Sequence, residues 1–299
     1  MRYKFAETLL KIAKQDKKII LLTGDLGAHL FEPIRDVLKD RFINAGVAEH
    51  NMVTAAAGMA YVGFKPWIYS IAPFVTIKVM EEIRNNVCLH NYNVKIVGLG
   101  GGYDYGIAGP THHVLNDVAI MMSLPNIKIY TPGFAEDLDR IIYKIYKENG
   151  PAYLRLTKAE KVNVPISPYV PIRRIIKGER LTVVVLGSII NRVLPAILHL
   201  KKNAVDLWLV SEFPLQIPKE LFKSIKKTHL VCVVEEHVST GGLGHHLNNI
   251  LVENKISFKH FIHLYAKGYI SHRYGSRDFY LKESGLDKDS IKKVIESLV

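Results

Sequence analysis

Residues 127–156, IKIYTPGFAEDLDRIIYKIYKENGPAYLRL, read as strand, helix and strand in succession. Ile127 to Tyr130 and Tyr153 to Leu156 are short apolar runs bounded by turn residues, the pattern of strands buried on both faces. Between them Thr131-Pro132-Gly133 interrupts the chain. Glu136, Asp137 and Asp139 load the first turns of a helix, Ile141, Ile142 and Ile145 form its apolar stripe, and Gly150-Pro151 stops it. Alternating strand and helix predicts an α/β fold with a mostly parallel sheet.

The alternation continues in both directions. Ile19 to Leu22 and Val94 to Leu99 are further buried strands, and a second α/β series runs through Leu181–Leu186, Asp206–Val210 and His229–Val234 to a helix near Ile291. Lys161 to Arg180 carries Pro165, Pro168 and Pro171, which cannot continue a helix and suit an extended linker. The expected organisation is two α/β domains, residues 1–165 and 181–299, joined by a linker at 166–180. No repeat period points to a solenoid.

Composition narrows the class. The 299 residues suit about two domains, and 48% hydrophobic with 23% charged residues is ordinary globular usage. No window approaches the roughly 18 apolar residues of a spanning helix, and the charged amphipathic start is unlike a signal peptide, so an unexported protein off the membrane is expected. Cys88 and Cys232 lie far apart and in no CxxC pair, which predicts a disulfide-free, cytoplasmic protein. Net charge is +12; residues 1–160 hold 19 basic and 16 acidic side chains, and residues 161–299 hold 21 and 12. The excess is scattered without interleaved aromatics, which reads as a solvated face and argues against nucleic acid.

Four segments bear on chemistry. Gly98-Leu-Gly-Gly-Gly102 follows a strand but breaks the dinucleotide frame at Tyr103, and there is no P-loop. Gly241-Gly242-Leu-Gly244 either cradles an anion at a helix start or only permits a tight turn. In Asn44-Ala-Gly-Val-Ala-Glu49-His50-Asn51-Met52 a carboxylate and an imidazole sit at the mouth of a small-residue, apolar helix. There Glu49 either favours the helix dipole or, buried among apolar neighbours, holds a proton near neutral pH. Gly106-Ile-Ala-Gly-Pro-Thr-His112-His113 offers imidazoles to a substrate oxygen; adjacent histidines with no third ligand nearby do not make a metal site.

In this order, the last two segments resemble the thiamine-diphosphate enzymes of the transketolase family. Gly46-Val-Ala-Glu49-His50 is similar to the family's G-[IV]-x-E-[HQ] motif, Lys65-Pro66 through Ser70-Ile-Ala-Pro-Phe74 to its aromatic pyrimidine segment, and Gly109-Pro-Thr-His112 to its GPTH loop. The resemblance covers essentially the whole chain but only the C-terminal half of a full-length transketolase. It implies a pyrimidine-binding domain followed by a transketolase C-terminal domain. The nearest string to the family's GDG motif, Gly24-Asp25-Leu26, does not match. Mg²⁺ and the diphosphate would therefore be held by a separate N-terminal subunit in an α₂β₂ assembly, with self-association of this chain.

The resemblance also implies roles. Glu49 would hydrogen-bond a ring nitrogen of the aminopyrimidine of thiamine diphosphate, Phe74 would stack on that ring, and Asp25 and Ile71 would lie beside the cofactor. His112 and His113 would face the donor sugar's oxygens, and Lys158 stands where the family has a phosphate-binding arginine, a point charge in place of a fork. Ala108 replaces an acidic residue before the GPTH loop, and Ile71 and Ile77 replace pocket aromatics. The expected activity is transfer of a two-carbon ketol unit between sugars or sugar phosphates. The rivals are a 2-oxo-acid dehydrogenase beta subunit, a deoxyxylulose-phosphate synthase-like enzyme using pyruvate, and a non-enzymatic basic binding protein.

Overall fold

Twelve short stretches pair into two sheets in a computed structural model that describes residues 1–158 and 166–299. In chain order the strands are β1 (Ile19–Thr23), β2 (Phe42–Asn44), β3 (Lys65–Ile71), β4 (Lys95–Leu99), β5 (Lys128–Tyr130) and β6 (Ala152–Leu156). They continue as β7 (Ile172–Ile176), β8 (Leu181–Leu186), β9 (Val205–Val210), β10 (Glu212–Phe213), β11 (Leu230–Val234) and β12 (His260–Leu264). The first sheet has the order β10-β5-β6-β4-β3-β1-β2 and the second β12-β11-β8-β9-β7; every pair is parallel except β10 with β5 and β7 with β9.

The unit at 127–156 closes as its pattern requires. Helix Leu138–Lys147 buries Leu138, Ile141, Ile142 and Ile145, and Tyr130 pairs with Leu154 across the parallel strands. Of the acidic residues at its start, Asp137 does more than meet the helix dipole: burial raises its carboxyl, which sits on Arg173 at 2.6 Å. No helix of the described residues is long and apolar enough to cross a membrane.

The expected linker carries a strand of its own, and the two halves share a sheet. Residues 172–176 of the 166–180 segment form β7, an edge strand antiparallel to β9, and Lys161 to Pro165 lie outside the described residues. Proline excludes helix but not an edge strand, where one row of N–H groups has no ladder partner; Pro171 stands just before β7 and its carbonyl accepts from Ser211. β10 then crosses back to pair with β5, so the second half completes the first half's sheet. One apolar cluster accordingly runs from Ile20, Ile68 and Ile129 through Ile172 and Phe213 to Val184 and Val231.

Buried charges bind the halves as well. Arg155 Nε donates to Asp117 at 2.8 Å, Tyr153 Oη donates to the same oxygen at 2.7 Å, and Arg155 Nη2 reaches the Glu236 carbonyl. Arg277 pairs with Glu236 at 2.5 Å and Asp104 at 3.3 Å. Burial pushes Asp104 up to about 6, against the pull of Arg277. Burial works against the Glu236 carboxylate as well, but Arg277, the Tyr103 backbone N–H and Arg155 together hold that carboxyl below its usual range. Breaking such a buried pair strands a charge in the interior. Arg155→Met should therefore lower unfolding free energy by about 3–5 kcal/mol in urea titration; a loss below about 1 kcal/mol would show that the pair does not brace the fold.

Candidate active site

Helix Glu49–Tyr61 brings a carboxylate to the point where the first sheet changes direction. From β1 the chain moves outward to β2, then returns past β1 to β3 and on to β4, so the strand order reverses between β1 and β3. Crevices of this kind, at the carboxyl ends of parallel strands, are where open α/β sheets bind ligands. Gly24 leaves β1 there, Ser70 and Ile71 end β3, and Glu49 enters from the loop after β2. A Cβ on Gly24 would lie 2.8 Å from Ser70 Oγ and 3.2 Å from Glu49 Oε1, so the approach of backbone to carboxylate requires glycine.

The Glu49 side chain is only 3% exposed. Its surroundings are not purely apolar, as the sequence suggested. Ser70 Oγ donates to Oε1 at 3.3 Å, and Lys78 Nζ donates to Oε2 at 2.6 Å. The helix itself is not buried all round either: Met52, Val53, Ala56 and Ala57 pack inward while Thr54, Tyr61 and the following Val62 face outward. His50 points away from Glu49, with Nδ1 2.6 Å from Glu82 Oε1.

Phe74 and His112 share this opening. Phe74 is half-buried, its ring centroid 5.5 Å from the His112 imidazole in an edge contact, with Lys78 Nζ 5.7 Å from the same centroid. His112 Nδ1 is 2.9 Å from Thr111 Oγ1, and its ring lies 5.6 Å from that of Tyr105. Glu49, Lys78, Phe74 and His112 thus converge from three separate segments. Asp25, adjacent to Gly24, adopts φ 55°, accepts from Asn44 Nδ2 at 2.9 Å and lines a hollow of about 220 Å³. Ile71 is buried at the end of β3, its carbonyl accepting from Phe74 N.

Lys158 lies apart from Glu49. Its backbone N–H donates to Asp104, and it borders a hollow of about 420 Å³ with Tyr105, Thr157 and Gly100. Tyr105 is the wall shared with His112. His113, expected to face the donor sugar, lies in the interior of this chain. It is 3% exposed, its Nε2 is 2.9 Å from the Gly106 carbonyl, and its ring stacks on Tyr269 at 5.8 Å. Neighbouring loop positions point in opposite directions, so placing His112 at the opening turns His113 into the interdomain core.

The glycines at 241–244 prove to surround an anion, but an internal one. Glu235 accepts from Leu243 N at 2.7 Å and Gly244 N at 2.9 Å, with His263 Nε2 2.6 Å away; a Cβ on Gly242 would come within 2.4 Å of its carboxylate. The helix dipole there is already answered by the chain. Two site residues escaped the sequence reading, Lys78 and Tyr105. The lysine's signal is its isolation in Val75-Thr-Ile-Lys78-Val79, a charge inside an otherwise apolar run.

Comparison with known proteins places this geometry. The family described as transketolase, pyrimidine binding domain matches residues 1–161, and that described as transketolase, C-terminal domain matches residues 171–291. A protein named as a subunit of an apulose-4-phosphate transketolase, from Actinobacillus succinogenes, is 32% identical over 269 residues, 87% of this chain and 85% of its own length. A 1-deoxy-D-xylulose-5-phosphate synthase from Clostridium perfringens is 28% identical over 99% of this chain, which spans 48% of that protein. A solved structure described as a split gene transketolase, inactive beta4 tetramer, superposes with TM-score 0.83 at 26% identity, covering 99% of this chain and 97% of its own.

The interior position of His113 has a pH consequence. Burial lowers its pKa below the usual 6.5, outweighing the Gly106 contact, so below that value the unfolded chain accepts a proton that the folded chain refuses. Stability contributed by neutral His113 is present above about pH 6.5 and lost as pH falls. In denaturant titrations the stability advantage of wild type over His113→Gln should narrow from about pH 7 to about pH 5; a widening gap would contradict the assignment.

Proposed function

Because the chain belongs to the transketolase family, we propose that it is the C-terminal subunit of a thiamine-diphosphate-dependent ketol transferase, acting with a separate N-terminal subunit. The observation that carries this reading is the Glu49 carboxylate, buried at the switch point with one oxygen directed to an opening beside an aromatic ring. The residues fit the pyrimidine half of the cofactor. A cation already occupies the opening at hydrogen-bond distance from Oε2, a stand-in for a ring N–H, and Phe74 presents its ring to the same space.

When bound, thiamine diphosphate supplies a carbon nucleophile that cleaves a ketose beside its carbonyl. This chain's residues prepare that chemistry. Glu49 holds a proton shared with the pyrimidine nitrogen, Ser70 steadies its carboxylate, and the absence of a side chain at Gly24 leaves room for it. Phe74 covers the ring's face. In the tautomer that carries its proton on Nε2, His112 accepts from the Thr111 hydroxyl at Nδ1 and donates from Nε2 to a substrate oxygen as charge develops. Lys158 borders a hollow suited to a sugar phosphate, and Asp25 lies on the β1 side of the crevice.

Exposed apolar side chains on the site's own elements support a partner: Val47 precedes Glu49, Ile77 adjoins Lys78, and Ile107 lies in the loop leading to His112. The partner would hold the diphosphate and Mg²⁺, in an α₂β₂ assembly. Two buried free cysteines suit the reducing cytoplasm. The likeness to deoxyxylulose-phosphate synthase favours a second reading, in which pyruvate is the donor.

Calorimetric titration of thiamine diphosphate with Mg²⁺ should show no binding to the chain alone and binding once it is co-purified with a transketolase N-terminal subunit. Absence of binding in both samples would overturn the reading, and turnover with pyruvate in place of a ketose would select the second. Glu49→Gln should retain the wild-type unfolding midpoint while turnover falls by about 10²-fold or more; an active Glu49→Gln enzyme would remove Glu49 from the mechanism.

A further inference from the structure

Lys78 makes both contacts that the cofactor's pyrimidine would make. Its ammonium stands 2.6 Å from Glu49 Oε2 and 5.7 Å from the centre of the Phe74 ring, so one cation satisfies the carboxylate and faces the aromatic surface. The carboxylate is held in this posture. Oε1 is taken by Ser70 and packed against Gly24, where even a methyl group would collide. A ring nitrogen approaching Glu49 on the face that Lys78 covers therefore competes with the ammonium for Oε2.

The lysine is built to leave. Its side chain is 41% exposed, while that of Glu49 is 3% exposed, so departure returns the ammonium to water without opening the core. It stands on the short turn Ile77–Val79 and borders a solvent-open hollow of about 480 Å³ with His50, Glu81 and Glu82. Glu82 is held by His50, whereas Glu81, three residues beyond Lys78, is exposed and within the sequence spacing at which a turn brings two side chains together. Glu81 thus offers the ammonium a second carboxylate once it swings out.

Resting on the proposed cofactor, we propose that Lys78 is a gate on the pyrimidine site, closed on Glu49 in the chain by itself and displaced to the Glu81 side when thiamine diphosphate binds. The gate keeps a buried carboxylate paired before the subunits assemble, when an unpaired one would destabilise the fold. It also makes cofactor binding an exchange of one cation for another at the same oxygen, so the lysine lowers affinity by the strength of the pair it surrenders.

The test is calorimetric titration of thiamine diphosphate with Mg²⁺ into the complex with the N-terminal subunit, comparing wild type, Lys78→Met and Lys78→Gln. Both variants should bind about two- to fivefold tighter than wild type, the strength of a half-exposed ion pair. That ratio should shrink toward one as salt is raised, because salt screens the pair that only wild type must break. Glu81→Gln, which removes the receiving carboxylate, should weaken binding. Equal or weaker binding by the Lys78 variants, with wild type binding normally, overturns the gate and leaves the cofactor reading standing. Absence of binding by every chain overturns both.

Discussion

A carboxylate inside a protein must be paired, and the candidate site is arranged around that requirement at Glu49. The small-residue helix that carries it packs one face against β3, which draws its first turn into the crevice between β1 and β3. Ser70 and Lys78 supply the donors, and Gly24 supplies the space. Each comes from a different segment, so the carboxylate is tolerable only after β1, β3 and the turn following β3 have come together.

The loop bearing His112 depends on the second half of the chain. Tyr103 at its start donates its backbone N–H to Glu236 and its hydroxyl to the Gly268 carbonyl, and His113 at its end stacks on Tyr269. His112, between these anchors, meets Phe74 of the first half. The hydrogen bond from Arg155 to the Glu236 carbonyl and the ion pair of Arg277 with Asp104 fasten the same junction. A domain with no catalytic side chain of its own in this scheme therefore sets the position of one that has.

Much of the fold was readable from local pattern. The strands at 19–22, 94–99, 127–130, 153–156 and 181–186 are apolar runs whose neighbours on both faces are helices, and such runs stand out whatever their partners. The edges did not stand out. β7 contains Arg173 and Arg174 and follows Pro171, and β10 is two residues long; each is defined by the strand beside it rather than by its own composition. The glycines at 241–244 left an anion cradle and a tight turn as alternatives in the sequence, and that they wrap the Glu235 carboxylate depended on β11 ending opposite them.

The sequence by itself determined the α/β class and the two-part organisation and singled out Glu49, Phe74 and His112 as site candidates, because strand and helix periodicities and short motifs are encoded by neighbours within a few positions. Only the tertiary structure decided that Lys78 stands on Glu49, that His113 belongs to the interdomain core, and that the two halves share a sheet and an apolar cluster. Those outcomes turn on which side chain reaches a given buried oxygen or ring first, a competition among groups tens to hundreds of residues apart that no local pattern records.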